Sequence, residues 1–320
     1  MQFRFAILGA GNIAGKFSDA VTRIEGCTIS AVASKSLARS EAFARNNGID
    51  RAYGDYEEML KTERPDCAYI ATTCDSHPSL STLCVEHGIP ALCEKAMFSN
   101  EEQARSFFAM AEQKGVFSME ALWSLFLPAN LKAREWMRSG KIGKLVCAGF
   151  ELGFAAKRDM GNRYFDPKLG GGAANDLTVY ALHILPWVTG QTIKRMGAEV
   201  IAAPSGVDET DVLLLSLSGD LPATVRATLA SRLEERMTLC GTKGRIVVPR
   251  PHMAQTAILF DAEGREAERY VDSVTQNGFV YEIEEAMRCI RKKNPESAVV
   301  SHSATQQVAG YIQQIHETLR

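Results

Sequence analysis

Gly9-Ala10-Gly11-Asn12-Ile13-Ala14 lies between an apolar run, Phe3–Leu8, and a helical pattern at 13–24. The spacing matches G-x-G-x-x-G/A, in which two glycines form a tight turn and a third small residue keeps the helix close to the sheet. Backbone N–H groups in such a turn, with the positive end of the helix, suit a pyrophosphate. The stretch therefore predicts a strand, a turn and a helix that bind a dinucleotide. The expected cofactor contacts are Gly9, Gly11, Asn12 and Ile13.

Strands and helices alternate through the first third of the chain. Apolar runs predict strands at Phe3–Leu8, 28–33, 67–71, 91–93 and 116–119, and helical periodicity predicts helices at 13–24, 37–46, 78–86 and 101–113. This alternation is typical of βαβ units on a parallel sheet. Doubly wound sheets bind ligands at the carboxyl ends of their strands, so Gly9, Ser34, Thr72 and Lys95 are expected to face one crevice.

The pattern changes after about residue 122. A helix is expected at 129–139, an antiparallel strand at 146–154, an apolar helix at 173–188 after three glycines, and a last helix at 305–319. Between 196 and 248, strand-like runs alternate with Gly, Pro and Asp turns. The fold class is therefore α/β: a Rossmann doubly wound parallel sheet in 1–122, and an α+β domain with a mainly antiparallel open sheet in 123–320. The second domain would bind substrate and form oligomers, and its C-terminal helix is able to pack back on the first.

The charge balance and the cysteine content limit the classes of partner and site that the sequence supports. The 36 Lys and Arg nearly balance 38 Asp and Glu, a net charge of −2, which gives no reason to expect nucleic acid or an anionic membrane as partner. The eight cysteines show no C-x-x-C spacing, so neither a zinc nor a redox site is indicated. No apolar run reaches the roughly eighteen residues of a membrane span. We interpret the protein as cytoplasmic, with free thiols and a small-molecule partner.

The end of the second strand indicates which dinucleotide is bound. An NAD site usually has Asp or Glu there, which binds the ribose hydroxyls. Here the strand is followed by Ser34 and Lys35, with Arg39 one helical turn after Lys35. A hydroxyl and two cations suit the 2′-phosphate of NADP, so NADP is favoured over NAD. The alternative is that Lys35 and Arg39 only form a solvated helix face.

A lysine, an aspartate and a tyrosine are the candidate catalytic residues. Glu94-Lys95 directly follows a strand, and Asp176 and Tyr180 are four residues apart, which places them on one face of the apolar helix. Alcohol and carbonyl chemistry needs a proton donor or acceptor at oxygen while hydride moves at carbon. His183 is a rival on nearly the same side, but its spacing from Asp176 is seven, so we interpret it as a core or supporting histidine.

Several motifs along the chain resemble one family. They are Leu92-Cys93-Glu94-Lys95, Met119-Glu120-Ala121-Leu122-Trp123, Arg163 with Phe165-Asp166-Pro167, the triple-glycine helix, Gly241-Thr242-Lys243-Gly244 and Gly278-Phe279-Val280-Tyr281-Glu282. Their order and spacing resemble the glucose–fructose oxidoreductase / inositol dehydrogenase / MocA family. The branch most like this chain contains dimeric dihydrodiol dehydrogenase and NADP-dependent D-xylose dehydrogenase.

The resemblance implies roles for single residues. Lys95 matches the lysine of the family's Glu-Lys-Pro motif near the nicotinamide, and Tyr180 matches the acid/base position. Asp176 matches the helix aspartate that orients substrate or lysine. The remaining matches are Thr72, His77 and Glu94 near the cofactor, and Trp123, Phe154 and Arg163 at the substrate pocket.

The chain departs from the family pattern at five positions. Ala96 replaces the proline after Lys95, and Thr73 and Cys74 replace Pro-Asn in the turn before His77. Leu125 and Thr178 stand where the dihydrodiol branch usually has Arg and Gly. Because proline fixes backbone geometry, Ala96 is expected to aim the lysine less firmly.

The expected function follows from the residues and the resemblance together. It is NADP-dependent hydride transfer to or from a secondary alcohol or hemiacetal, or the matching carbonyl, of a pyranose sugar or cyclic trans-diol. No metal is required, because no water has to be activated. The alternatives are an NAD-linked inositol-type dehydrogenase and a non-catalytic NADP-sensing regulator of the same fold. By analogy with the family, a homodimer or homotetramer is expected.

Overall fold

Six parallel strands form the first sheet of this computed structural model, which describes residues 2–159 and 161–319. They are β1 (Phe3–Leu8), β2 (Cys27–Ala33), β3 (Ala52–Tyr53), β4 (Cys67–Ile70), β5 (Ala91–Glu94) and β6 (Ser118–Ala121). Their order in the sheet is β3-β2-β1-β4-β5-β6, and every pairing is parallel. The order reverses between β1 and β4, which is where doubly wound sheets bind dinucleotides. The predicted Rossmann sheet is confirmed.

The crossovers between these strands are helical. They are α1 (Asn12–Thr22), α2 (Leu37–Asn47), α3 (Tyr56–Glu63), α4 (His77–Glu86) and α5 (Glu101–Lys114). Strands β4 and β5 are buried along their whole length, as expected for a sheet covered on both faces. Phe17 of α1 stacks on Tyr69 of β4 with ring centroids 3.6 Å apart, which ties the first helix to the sheet.

The second sheet has eight strands within the part of the chain that the structure describes. They are β7 (Leu145–Gly153), β8 (Ile193–Ala202), β9 (Asp208–Leu217), β10 (Leu221–Thr228), β11 (Arg236–Gly241), β12 (Gly244–Pro249), β13 (Thr256–Asp261) and β14 (Glu266–Val271). Their order is β14-β13-β12-β11-β7-β10-β9-β8. All neighbours are antiparallel except β7 and β10, so the prediction of a mainly antiparallel sheet is confirmed.

Two helices, α6 (Pro128–Arg138) and α7 (Val179–Thr189), accompany this sheet. Strand β10 alternates between buried and exposed residues, which is typical of a sheet with one covered face and one open face. Leu125, which occupies a family arginine position, is 2% exposed and belongs to the apolar interior. None of the helices that the structure describes is both long enough and apolar enough to cross a bilayer.

Two last helices, α8 (Phe279–Arg291) and α9 (His302–Thr318), complete the chain. By compactness the chain forms two units: 2–123 with Asn277–Ala309, and the described residues of 124–276 with 310–319. The sequence predicts a division after residue 122, with 277–309 in the second domain. These residues group with the first unit because Phe279 stacks on Trp123 and Thr305 donates to Glu120.

Candidate active site

The glycine turn after β1 is shaped by close backbone contacts. Gly9 N–H donates to Ala33 O at 2.8 Å, and its φ of +109° lies in the left-handed region that favours glycine. A Cβ at Gly9 would lie 2.7 Å from Ala71 O. Gly11 caps α1, whose first turn has neither a capping side chain nor an acidic residue. The donors at this helix end therefore fit the pyrophosphate of a dinucleotide.

Hydroxyls and a guanidinium surround the end of β2. Ser34 is buried, and its Oγ donates to Ser36 O at 2.8 Å and lies 2.9 Å from Ser40 Oγ. Arg39 Nε donates to Ala10 O at 3.1 Å, so Arg39 contacts the glycine turn and is more than part of a solvated face. Lys35 is exposed, and residues 34–40 contain no carboxylate.

His77 connects the loops after β4 and β5. Its Nδ1 lies 2.8 Å from Ala96 O and its Nε2 lies 3.2 Å from Thr72 O, and burial lowers the pKa of the imidazole. Cys74 Sγ also donates to Lys95 O at 3.8 Å. The Lys95–Ala96 peptide bond is cis. These contacts bring Thr72, His77 and Lys95 together in the first unit. The sequence predicts that all three lie near the cofactor.

Two buried carboxyl groups interact in the first unit, and one of them directly precedes Lys95 in the chain. Glu94 Oε1 accepts a hydrogen bond of 2.5 Å from Tyr69 OH, and burial raises the pKa of Glu94. Glu282 of α8 is fully buried, and both desolvation and the charge of Glu94 raise its pKa well above the ordinary value. Sequence reasoning quoted Glu282 only as part of a motif and gave it no role.

The helix that carries Asp176 and Tyr180 begins with a π-helical turn, Ala174–Thr178, before α7. The sequence predicted a regular α-helix from 173, so the turn is a correction. Both ends of the turn contact β9, where Asp208 accepts from Ala174 N–H and Asp211 accepts from Thr178 Oγ1 at 2.5 Å. The α-helical spacing argument for Asp176 and Tyr180 therefore does not apply unchanged, and π turns are frequent at functional sites.

A chain of contacts links three predicted site residues in the second unit. Arg163 donates to Asp176 Oδ1 at 3.2 Å, and its guanidinium lies over the Tyr164 ring at 4.2 Å. The Tyr164 ring in turn packs edge-on against Phe154, with centroids 5.2 Å apart. Phe154, Arg163 and Asp176 therefore form one cluster, as a shared pocket requires.

Tyr180 packs beside a histidine that sequence reasoning missed. Its ring centroid lies 5.7 Å from that of His252, which follows β12 in a short turn. Asn130 Nδ2 donates to Pro251 O at 2.8 Å and so fixes that turn. A single histidine in an irregular segment gives no motif, so the sequence offered no signal for it. His183 is 4% exposed, in agreement with its interpretation as a core residue.

The predicted site residues are divided between the units. The first unit holds the dinucleotide turn, Ser34, Lys35, Arg39, Thr72, His77, Glu94, Lys95 and Trp123, and the second holds Phe154, Arg163, Asp176 and Tyr180. Trp123 stacks on Phe279 with centroids 5.1 Å apart.

Comparison with known families gives two matches that together cover most of the chain. Residues 3–121 match a family described as an oxidoreductase family with an NAD-binding Rossmann fold. Residues 130–247 match the GFO/IDH/MocA C-terminal domain.

Individual proteins resemble the chain along its whole length. Trans-1,2-dihydrobenzene-1,2-diol dehydrogenase from Mus musculus is 32% identical over 329 residues, covering 100% of this chain and 97% of that protein. Levoglucosan dehydrogenase, solved with NADH and levoglucosan, superposes with a TM-score of 0.89 at 16% identity, covering 100% and 97% of the two chains. A 3-ketoreductase from Actinomadura kijaniata, solved with NADP and TDP-benzene, gives 0.88 at 17% identity, covering 99% and 98%.

Proposed function

Because the chain belongs to the Gfo/Idh/MocA family of oxidoreductases, we propose that it transfers hydride between NADP and a secondary alcohol or hemiacetal, or the matching carbonyl, of a pyranose sugar or cyclic trans-diol. The observation that carries this proposal is the cluster of Arg163 and the rings of Tyr164 and Phe154 with Asp176, which lies on the helical segment that also bears Tyr180.

The substrate class is supported by the chemistry of that cluster. Aromatic rings pack against the C–H faces of a ring compound, while a guanidinium and a carboxylate hydrogen-bond its hydroxyls. The mouse relative is named for a cyclic trans-diol, and levoglucosan dehydrogenase was solved with an anhydrosugar. A ring compound with neighbouring hydroxyls is the chemistry that these substrates share.

The choice of NADP is supported by the end of β2. Arg39 contacts the glycine turn, Ser34 directly follows β2, and residues 34–40 lack a carboxylate that would repel a 2′-phosphate. The structural relatives were solved with NADP in one case and NADH in the other, so the choice rests on these residues.

Each candidate residue has a distinct task in the proposed reaction. When bound, NADPH would supply the hydride for reduction of the carbonyl and NADP⁺ would accept it in oxidation of the alcohol. Tyr180 gives a proton to the substrate oxygen in reduction and takes it in oxidation. Lys95 contributes a positive charge that stabilises the oxygen as negative charge develops, and Asp176, held by Arg163, orients the substrate hydroxyl.

The test is an assay of a panel of substrates, with the reaction monitored through the absorbance of the reduced cofactor. Purified protein is assayed with trans-dihydrodiols, D-xylose, D-glucose and inositols, with NADP and with NAD. We expect turnover on a diol or pyranose with a higher kcat/KM for NADP than for NAD. Turnover of inositols with NAD alone would favour the NAD-linked alternative. NADP binding without turnover of any compound would favour a sensing regulator.

We further propose that a second copy of the chain pairs with the open face of the second sheet. Three apolar side chains on this face are strongly exposed: Leu214 at 62%, Ile201 at 61% and Val212 at 43%. The strand register brings them to neighbouring positions on β8 and β9, while Leu213 and Leu215 point to the buried side. An exposed apolar patch of this kind is typical of a subunit interface.

A further inference from the structure

Two carboxyl groups of β9 hold the turn that precedes the proposed acid/base residue. Asp208 is 1% exposed and Asp211 is fully buried. Asp208 Oδ2 accepts from Ala174 N–H, and Asp211 Oδ2 accepts from Thr178 Oγ1 at 2.5 Å. The two donors are the first and last residues of the π-helical turn Ala174–Thr178.

The remaining oxygen of each carboxyl group, Oδ1, is buried and has no hydrogen-bond partner among the residues that the structure describes. Burial together with the nearby charge of Asp208 raises the pKa of Asp211 well above its ordinary value. Two carboxyl groups can hydrogen-bond one another only if one of them carries a proton. Like charges this close cannot both ionise in a dry interior.

The ionisable groups around the pair come from three elements. His316 of α9 has its Nε2 3.5 Å from Asp208 Oδ1. Glu209 of β9 is bound to Arg158 at 2.5 Å, and Asp176 of the turn is bound to Arg163. These two neighbouring carboxylates have cationic partners, whereas the group that faces the Asp208–Asp211 pair is the imidazole of His316.

We propose that Asp208 and Asp211 share one proton and act as positioning residues, which hold the turn Ala174–Thr178 so that Asp176 and Tyr180 meet the substrate correctly. The inference rests on the proposed function, since it assigns a purpose to the geometry of that site. Misplacement of reacting groups by about 1 Å can reduce a rate roughly 100-fold. Thr178, found where the related branch has glycine, supplies the hydroxyl that the pair holds.

Asp→Asn substitutions test whether the two carboxyl groups share a proton or whether any polar side chain at these positions is sufficient. Asp208→Asn or Asp211→Asn keeps an oxygen for the helix donor and places an N–H where the proton was, so each single variant should retain kcat within about threefold. The double variant places two NH₂ groups face to face, and we expect kcat to fall about 10- to 100-fold with the Kd for NADPH unchanged. Glu263→Gln, at an exposed position in the turn after β13, is the control.

Hydrogen exchange provides a readout that does not need turnover. Exchange at Ala174 N–H should stay slow in both single variants and accelerate in the double variant. Thr178→Val should accelerate exchange at Ala174 N–H and lower kcat about tenfold. Thr178→Ser keeps the hydroxyl and should restore both values. If the double variant does not fold, the Thr178 variants test the proposal. The proposal is overturned if the double variant has the kcat and the Ala174 exchange rate of the single variants. It is also overturned if Thr178→Val changes neither kcat nor that exchange rate. Absence of wild-type turnover would count against the proposed function alone.

Discussion

Arg39 touches the glycine turn through Ala10 O, and the dinucleotides NADP and NAD differ only by a phosphate on the adenosine ribose. Replacing Arg39 by alanine should therefore weaken NADPH binding roughly 10- to 100-fold, because charge-assisted hydrogen bonds contribute about 1.5–3 kcal/mol. NADH binding should change less than about threefold. Calorimetric titration of both cofactors measures the difference.

The control for this substitution is Arg45→Ala on the exposed last turn of the same helix. It should leave both affinities unchanged. If Arg39→Ala weakens NADPH and NADH equally, the guanidinium supports the turn itself and the preference for NADP loses its structural basis.

Glu282 carries a pH dependence whose sign follows from its environment. Its pKa is raised by burial and by Glu94, so the folded protein keeps a proton that the unfolded chain releases near pH 4. As pH rises above about 4, the free energy of unfolding therefore falls by about 1.4 kcal/mol per pH unit for one proton. The fall ends where the pH passes the pKa that Glu282 has in the folded protein. Glu282→Gln removes this contribution.

Thermal unfolding between pH 5 and 8 measures the effect. The Tm of Glu282→Gln relative to the wild-type protein should increase as pH rises. Glu285→Gln on the same helix is the matched control, because the pKa of Glu285 is lowered by its hydrogen bond to Arg288. A Tm difference that is constant with pH would show that Glu282 is ionised in the folded protein.

At the scale of an element, the turn before α1 depends on glycine at position 9, whereas α1 itself tolerates alanine at position 15. A Cβ at Gly9 would meet Ala71 O at 2.7 Å with φ at +109°, so Gly9→Ala should destabilise the first unit and weaken dinucleotide binding. Gly15 lies inside α1 with nothing within 4 Å of its Cβ position. Gly15→Ala should raise stability by up to ~1 kcal/mol, since alanine favours helix. Equal effects in chemical denaturation would contradict the close packing of the turn.

Most elements of the first unit could be predicted because their patterns are local. The strand at β1 and the helix at α2 lie within one or two residues of their expected bounds. Strand β3 has two residues, too few for a period, and β14 is a polar edge strand whose residues are mostly exposed. The expected antiparallel strand at 146–154 pairs antiparallel with β11 but parallel with β10, because pairing depends on tertiary topology.

The candidate site could be predicted only where residues lie in recognisable motifs. Lys95, Asp176 and Tyr180 follow from motifs, and their roles stay predictions. Asp208, Asp211 and His252 act through contacts between segments far apart in the chain, which no local pattern encodes. The contacts of the π-helical turn with β9 are of the same kind, because the two segments are more than thirty residues apart in the chain.

At the scale of the whole molecule, pairing of two copies is tested at the open sheet face. Leu214→Lys places a charge in the exposed apolar patch and should shift the protein from dimer or tetramer toward monomer at micromolar concentration, because a buried unpaired charge disfavours association. Light scattering after gel filtration measures the mass. Leu131→Lys, at a 47% exposed position on α6, is the control and should leave the mass unchanged. A monomeric wild-type protein would contradict the pairing.

The division of the candidate residues between two units leads to a kinetic prediction. Lys95 belongs to the first unit and Tyr180 to the second. If both serve the same proton and charge transfer at one substrate oxygen, Lys95→Met and Tyr180→Phe should each lower kcat about 10²- to 10⁴-fold. The kcat of the double variant should then be only slightly lower than that of the less active single variant, because the effects of substituting residues that act as a unit do not add. NADPH binding by Tyr180→Phe should be unchanged. Effects that multiply in the double variant would assign the two residues to separate steps, and near-normal turnover by Tyr180→Phe would remove the tyrosine from the acid/base role.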